Sequence, residues 1–457
     1  MNFSFLLILL ASPLTGIEPV PLVEKPRVII LTDIGGDPDD TQSLIRLLLY
    51  TNELEIEGLI ASAAGTPGEL KKDLVRPDLI RQVIEAYAQV QVNLRRHNPE
   101  FPEAKALLNK VKSGNPRRGK GNLGPGKDTE GSDWIITVVD RPDPRPVNIC
   151  VWGGPTELAQ ALDRVKRERS PAQLREFIKK IRVFSIGHQD DSGPGILRDF
   201  PDLFYILSMA PDGKDKRQGM YRGMYLGGDE SLTSRKWVDE NVRVGHGPLG
   251  ALYPTQTWTA PNPNSCLKEG DTPSLFYFLP NQPGHPNHPE WGNWGGRYVQ
   301  LIETNNFRDA REPADSNDPR WQVWRWRPHY QAEFQARMDW CLQPFEKANH
   351  RPLARLKGMK DSGPILLSFK SGETAALDAS PSIDPDNNKL SFNWQALFES
   401  PTNLHRFLNN QDSAILKITV PKETKGWQLH LLLTVTDDGS PALRSYRRVH
   451  LTCAPGN

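Results

Sequence analysis

Residues 27–50 constrain the fold more than any other stretch of the chain. Arg27-Val28-Ile29-Ile30-Leu31 is a nearly continuous apolar run of strand length, and Gln42-Ser43-Leu44-Ile45-Arg46-Leu47-Leu48-Leu49-Tyr50 has helical spacing. Between them lies Asp33-Ile34-Gly35-Gly36-Asp37-Pro38-Asp39-Asp40. A strand apolar on both faces belongs inside a parallel sheet covered by helices. Ligands of such sheets bind outside the carboxyl ends of the strands, where this loop falls. Four carboxylates in eight residues repel one another unless a cation neutralises them. Helix capping by Asp39 or Asp40 accounts for one of them. Carboxylate oxygens suit Ca²⁺ or Mg²⁺, with Ca²⁺ accepting more ligands and looser geometry.

The same alternation continues downstream. Leu54 to Ile60, Val147 to Trp152 and Ile181 to Ile186 read as strands, and Asp78 to Val90 and Thr156 to Val165 as helices. This predicts an α/β fold, a parallel sheet with helices on both faces, over residues 25–348. From about Asn349 the helical periodicity fades. Short strand-like runs (Ile365 to Phe369, Leu390 to Trp394, Ile415 to Val420, Leu429 to Val435, Arg447 to Leu451) alternate with turn clusters such as Asp384-Pro385-Asp386-Asn387-Asn388. That texture predicts a small all-β sandwich over residues 353–457, with Asn349-His350-Arg351-Pro352 as the linker.

At the N-terminus, Phe3 to Leu10 followed by Ala11-Ser12-Pro13-Leu14-Thr15-Gly16 resembles a secretory signal, which places the expected signal peptide at residues 1–17 and the protein outside the cell or in the periplasm. No later segment is apolar enough to span a membrane. Formal net charge is +1, and the short basic run Arg117-Arg118-Gly119-Lys120 in a Gly/Pro-rich stretch reads as a solvated loop, so no nucleic-acid partner is expected. Of the four cysteines, Cys150 reads as a buried thiol, and Cys266 with Cys341 is a candidate disulfide.

Five further segments carry polar or aromatic groups fit for a site. Val151-Trp152-Gly153-Gly154-Pro155-Thr156 is a strand-to-helix turn. Gly187-His188-Gln189-Asp190-Asp191-Ser192 follows a strand, so His188, Gln189, Asp190 and Asp191 are candidates to hold sugar hydroxyls or a leaving group; a polar surface loop is the alternative. In Lys268-Glu269-Gly270-Asp271-Thr272-Pro273, Glu269 is a candidate substrate contact, and Asp271 or Thr272 can cap a helix opened by Pro273. Trp291 and Trp294, spaced by Gly292 and Asn293, either stack on sugar or base rings or wedge a loop into the core. His246 in Gly245-His246-Gly247 is a candidate proton donor to a leaving group, or a loop histidine.

The segment from Val28 to Tyr50 resembles the N-terminal metal loop of the inosine-uridine-type nucleoside hydrolases, Asp-x-Asp-Pro-Gly-x-Asp-Asp. Asp33, Asp39 and Asp40 fall on acidic positions of that pattern, whereas Gly35 stands at its second Asp, Gly36 at its Pro and Asp37 at its Gly. The turn at Trp152 is similar to that family's Gly-Pro-Leu-Thr-Asn-Leu-Ala segment. The resemblance implies Ca²⁺ held by Asp37, Asp40, Asp271 and the Trp152 carbonyl, a water deprotonated by Asp33 or Asp37, and sugar hydroxyls bound by Asp39. The implied activity is hydrolysis of ribosyl-type N-glycosidic bonds in a small nucleoside or glycoside. The order of segments also resembles a narrower group of secreted bacterial proteins with a nucleoside-hydrolase-like domain and an immunoglobulin-like C-terminal domain, described as cellulose-binding in one lineage. Because Gly35 replaces an Asp that binds calcium and activates water in the family, the rival expectation is a polysaccharide-binding protein on a catalytically altered scaffold. No Lys- or Arg-rich phosphate cradle flanks the loop in sequence, which ranks a phosphoesterase last. Leu377 to Asp386 together with Thr434 to Gly439 resembles a polycystic-kidney-disease or cadherin-like sandwich.

Overall fold

A computed structural model of the chain describes residues 25–65, 73–256, 266–311, 318–360, 363–370, 372–397, 408–419 and 427–453. The expected signal peptide at 1–17 lies outside these residues. Eight strands form one sheet: β1 (Arg27–Thr32), β2 (Glu55–Ala61), β3 (Val111–Ser113), β4 (Val147–Val151), β5 (Ile181–Ile186), β6 (Phe204–Ser208), β7 (Tyr298–Gln300) and β8 (Asn306–Asp309). Their order is β3-β2-β1-β4-β5-β6-β8-β7, with every pair parallel except β7 with β8. The chain begins mid-sheet, runs outward to β3 and returns to β4, so β1 and β4 flank the point where strand order reverses, the usual ligand crevice of such sheets.

The apolar run of β1 divides its side chains between two cores. Val28 and Ile30 join the cluster beneath α1 (Asp39–Leu48) and α2 (Pro77–His97), while Ile29 and Leu31 join the one beneath the helices Glu130–Val139 and Thr156–Glu168. Burial on both faces is why this strand carries no polar alternation. Register places the carboxyl ends together: Leu31 lies opposite Ile60 and Val151, and Val151 opposite Ser185. The loops after β1, β4 and β5 therefore open on one edge.

The C-terminal region is all β. A four-stranded sheet runs β11 (Ser391–Ala396), β14 (Trp427–Thr436), β15 (Arg444–Cys453), β9 (Ile365–Phe369), and a three-stranded sheet runs β10 (Thr374–Asp378), β13 (Ile415–Thr419), β12 (Leu408–Asn409). They enclose a core of their own around Trp394, Leu416, Leu431 and Val449. The expected linker is pinned rather than loose. Asn349 donates to Asp437, the His350 ring meets Asp386, and Arg351 reaches Glu53 and Glu333 in the α/β region.

All four cysteines are buried free thiols, which overturns the expected bridge between Cys266 and Cys341. No helix among the described residues is long and apolar enough to cross a membrane.

Candidate metal centre

The acidic loop does not present its carboxylates uniformly. α1 starts at Asp39, so Asp39 and Asp40 occupy its first turn, where the helix dipole favours negative charge. Thr32 Oγ1 at the end of β1 donates to Asp40 Oδ1 and fixes that side chain. Asp271 comes from more than two hundred residues away on a segment clamped to α1. Gln42 donates to the carbonyls of Pro254 and Cys266 (both 2.8 Å) and accepts from the Lys268 amide (2.7 Å), and Thr272 bonds Ser43 at 3.0 Å. The Trp152 indole, fully buried after β4, donates to Ser274 Oγ at 2.9 Å. Carboxylate oxygens of Asp39, Asp40 and Asp271 thereby come within 4.8 Å of one another.

The electrostatics match a cation site. Burial, and then the charges of Asp33 and Asp39, hold the Asp40 carboxyl well above the usual carboxylate range. Asp271 is raised by burial and by Asp39, Asp40 and Asp33. Its Oδ2 is buried with no hydrogen-bond partner among the described residues. A buried acceptor in that position is costly unless something binds it, and three converging carboxylates are the donor set of a hard divalent cation. The residues therefore fit a metal, with a composition different from the expected one. Asp39, expected to bind sugar hydroxyls, lies in the cluster, while Asp37, expected to ligate the metal, forms an ion pair with Lys268.

Asp33 is held from two sides. Gly153 passes so close that a Cβ there would stand 2.6 Å from the Cβ of Asp33. Arg118 donates Nη2 to Asp33 Oδ2 at 2.6 Å, with the Arg118 side chain only 9% exposed. The expected solvated loop at 117–120 holds for Arg117 and Lys120, which are exposed, and is corrected at Arg118, whose side chain turns inward to Asp33. Gly35 has φ +110°, and a Cβ there would meet Arg76 Cγ at 2.9 Å. The departure from the hydrolase pattern is thus built into the backbone, because an Asp at this position would be both strained and obstructed.

The remaining expected residues separate into neighbours and strays. The Trp152 carbonyl, expected to ligate a metal, accepts from Gln189 Nε2. Asp190 accepts from Thr156 Oγ1 and from the Ser192 amide, both at 2.8 Å, and Asp191 accepts from the Lys120 amide at 2.8 Å. These three tie loops together at the rim. His188 is half-buried, with its pKa lowered chiefly by burial. Glu269 is not a substrate contact: it is fully buried against Arg46, which donates to it at 3.0 Å through Nη2, and Tyr253 donates at 2.5 Å. His246 is spent on Asp339, 3.1 Å away, and Gly247 beside it packs toward Val90 and Leu342, on the α2 side of the core. Trp291 stacks on His288 with centroids 3.9 Å apart and lies under the Arg448 guanidinium. Trp294 packs on Phe276, Tyr330 and Tyr446. Both tryptophans wedge the two regions together instead of offering a ring face to a ligand.

Three residues enter the site without having been singled out: Arg118, Lys268 and Tyr221. Burial drives the Lys268 ammonium down to about 8, against the pull of Asp271. Tyr221 packs its ring 3.6 Å from the position a Cβ on Gly270 would take, and its hydroxyl is raised by burial and by the nearby Asp271 and Asp39.

Comparison with known proteins gives a consistent result. The family described as cellulose-binding Sde182, nucleoside hydrolase-like domain matches residues 27–298, and that described as cellulose-binding protein Sde0182, C-terminal domain matches residues 374–453. Among solved structures, a nucleoside hydrolase-related hypothetical protein from Saccharophagus degradans that is associated with carbohydrate metabolism is 32% identical, over 94% of this chain and 100% of its own, with a TM-score of 0.77. The PKD domain of KIAA 1837 protein is 22% identical over 21% of this chain and 86% of its own, at a TM-score of 0.16. No curated protein matches the chain.

Proposed function

The chain belongs to the family described as cellulose-binding Sde182, nucleoside hydrolase-like domain, and on that premise we propose that it is an exported carbohydrate-recognition protein whose nucleoside-hydrolase-like site holds a calcium ion. Asp39, Asp40 and Asp271 would hold the ion, which would supply a fixed positive anchor for sugar hydroxyl oxygens. The observation that carries recognition over hydrolysis is the fate of the expected bases. Asp33 is paired with Arg118 and Asp37 with Lys268, so each proton acceptor is already neutralised by a cation, and Gly35 brings no carboxylate. A carboxylate whose oxygen already accepts from a guanidinium or ammonium has fewer lone pairs to offer the proton of a water.

Hydrolysis of an N-glycosidic bond is the second reading. It is favoured by the place of Asp33, a carboxylate close enough for its charge to act on both Asp40 and Asp271 of the cluster. One experiment separates the two readings. Full-length protein is incubated with a nucleoside panel and assayed for free ribose, and in parallel is pulled down on insoluble cellulose, each with Ca²⁺ or EGTA. Recognition predicts calcium-dependent retention without release of sugar. Calcium-dependent ribose release that is lost in Asp40→Ala would replace it with the hydrolase reading.

A further inference from the structure

The α/β region, the linker and the C-terminal β region are joined by a hydrogen-bonded chain whose protons can be counted. His97 ends α2, His350 lies in the linker, and Asp386 lies in the turn before β11. His97 Nε2 is 2.9 Å from the Gln343 carbonyl, His97 Nδ1 is 2.9 Å from His350 Nε2, and His350 Nδ1 is 2.9 Å from Asp386 Oδ1. The His350 amide also donates to Asp386 Oδ2 at 2.7 Å. All four separations are those of ordinary hydrogen bonds. Both rings are buried and clamped: His97 stacks on Trp340 with centroids 5.3 Å apart, and His350 on Phe345 at 3.9 Å. Turning either ring over within its stack would put carbon atoms at these contacts.

A carbonyl oxygen only accepts, so His97 Nε2 carries a hydrogen, and an ionised carboxylate only accepts, so His350 Nδ1 carries another. The contact between the rings needs a third, on one of the two facing nitrogens and not on both. Three hydrogens are one more than two neutral imidazoles hold and one fewer than two imidazolium ions hold. The pair therefore bears one positive charge, set against Asp386. The surroundings suit that count. Besides Asp386, the charged groups facing the pair are Asp384, in the same turn, and Glu346. Arg351, next along the chain, is taken up by Glu53 and Glu333, and Arg96 on α2 donates to Asn93. Burial first, and then the charge of His350, pull His97 below the ordinary imidazole value, against the Gln343 carbonyl, so a fourth proton is resisted.

We propose that the chain from Gln343 through His97 and His350 to Asp386 is a pH-gated latch between the two regions, closed when the two imidazoles share three protons and weakened when they hold two or four. Once released from each other, the rings titrate near the ordinary histidine value of about 6.5. Above it they hold two protons, so closing the latch takes one up and alkali opposes it. Below it they hold four, so closing the latch expels one and acid opposes it. The latch is strongest near pH 6.5 and weakens on both sides, by up to about tenfold per pH unit for the one proton exchanged.

The test compares urea unfolding of the full chain with that of His97→Gln from about pH 5 to about pH 8. The glutamine amide can donate to both His350 Nε2 and the Gln343 carbonyl, which completes the chain without a third imidazole proton. The ratio of the two unfolding constants cancels the titration of groups elsewhere. It should show the unaltered protein relatively most stable near pH 6.5, with that advantage falling several-fold toward each end of the range. A ratio that stays level, or that changes in one direction only, would overturn the proposal. A second measurement needs no variant. In ¹⁵N-histidine-labelled protein near pH 6.5, one pair of histidines should show direct nitrogen–nitrogen coupling across an N–H···N bond, with three of its four ring nitrogens protonated. Absence of that coupling, or a coupled pair with two protonated nitrogens, would overturn the proposal equally.

Discussion

Two buried charged regions lie on either side of the segment 266–274, and they handle charge in opposite ways. On one side, Arg46 and Glu269 are both fully buried and pair with each other, and Arg337 and Arg351 share Glu53 and Glu333, two guanidinium groups for two carboxylates. On the other side, Asp40 and Asp271 are pushed up by burial and then by the charges of their own acidic neighbours. Balanced burial is a way of holding distant segments together, since removing either partner leaves an uncompensated charge. Burial of mutually repelling carboxylates stabilises nothing by itself and is retained where a ligand supplies the missing charge. Glu157 shows a third solution. It is buried without a cationic hydrogen-bond partner among the described residues, and burial raises its carboxyl to about 7, so it keeps its proton through much of the acidic range.

The comparison can be broken most decisively at its balanced end. Arg46→Met leaves Glu269 buried and uncompensated and is expected to cost about 3–5 kcal/mol in denaturant unfolding; a loss below about 1 kcal/mol would mean that this pair does not hold the segment. Glu157 gives the next largest effect. Its folded value of about 7 lies above the ordinary glutamate range, so the unfolded chain loses its proton first as pH rises. Stability should therefore fall between about pH 4.5 and 7, by up to roughly 3 kcal/mol, and level off above. Thermal unfolding across that range checks the slope, and Glu157→Gln should remove this contribution to it. At the unbalanced end the sign reverses. Asp40→Asn relieves repulsion and should raise the stability of the calcium-free protein by about 1 kcal/mol, where an ordinary loss of a buried hydrogen bond would lower it. Smallest of all, the exposed pair of Arg164 with Glu168 should contribute no more than about 0.5 kcal/mol when Glu168 is replaced by Gln.

Much of this was legible in the sequence, and what was not has physical reasons. β1, the acidic loop and α1 follow from one apolar run and one helical period, and β4 and β5 from the same pattern. The strands β3, β6, β7 and β8 were missed. β3, β7 and β8 have three, three and four residues, too few for a periodicity, and β6 runs on into a long stretch rich in Gly and charged residues. Asp33 and Asp40 were picked out because they lie in the acidic loop between a strand and a helix, and Asp271 through the resemblance to nucleoside hydrolases. The exchange of Asp37 for Asp39 was not readable, because it depends on α1 starting at Asp39 and on Lys268 arriving from far along the chain. Glu269 was misjudged because Lys268 and Asp271 turn toward the acidic loop while Glu269 between them turns toward Arg46, and composition is blind to direction. Arg118 sits in a segment whose polarity and Gly/Pro content are those of a solvent loop, and only its tertiary anchors to Glu157, Thr156 and Asp191 bring it inside.

The central claim is that repelling carboxylates mark a cation site, and calcium titration of the full-length protein followed by thermal unfolding tests it most directly. The account predicts a melting temperature that rises with Ca²⁺, returns on adding EGTA, and no longer responds in Asp271→Asn, while Glu168→Gln responds as the unaltered protein does. A melting temperature indifferent to Ca²⁺ and to Mg²⁺ in the unaltered protein, or a full calcium response in Asp271→Asn, would contradict it.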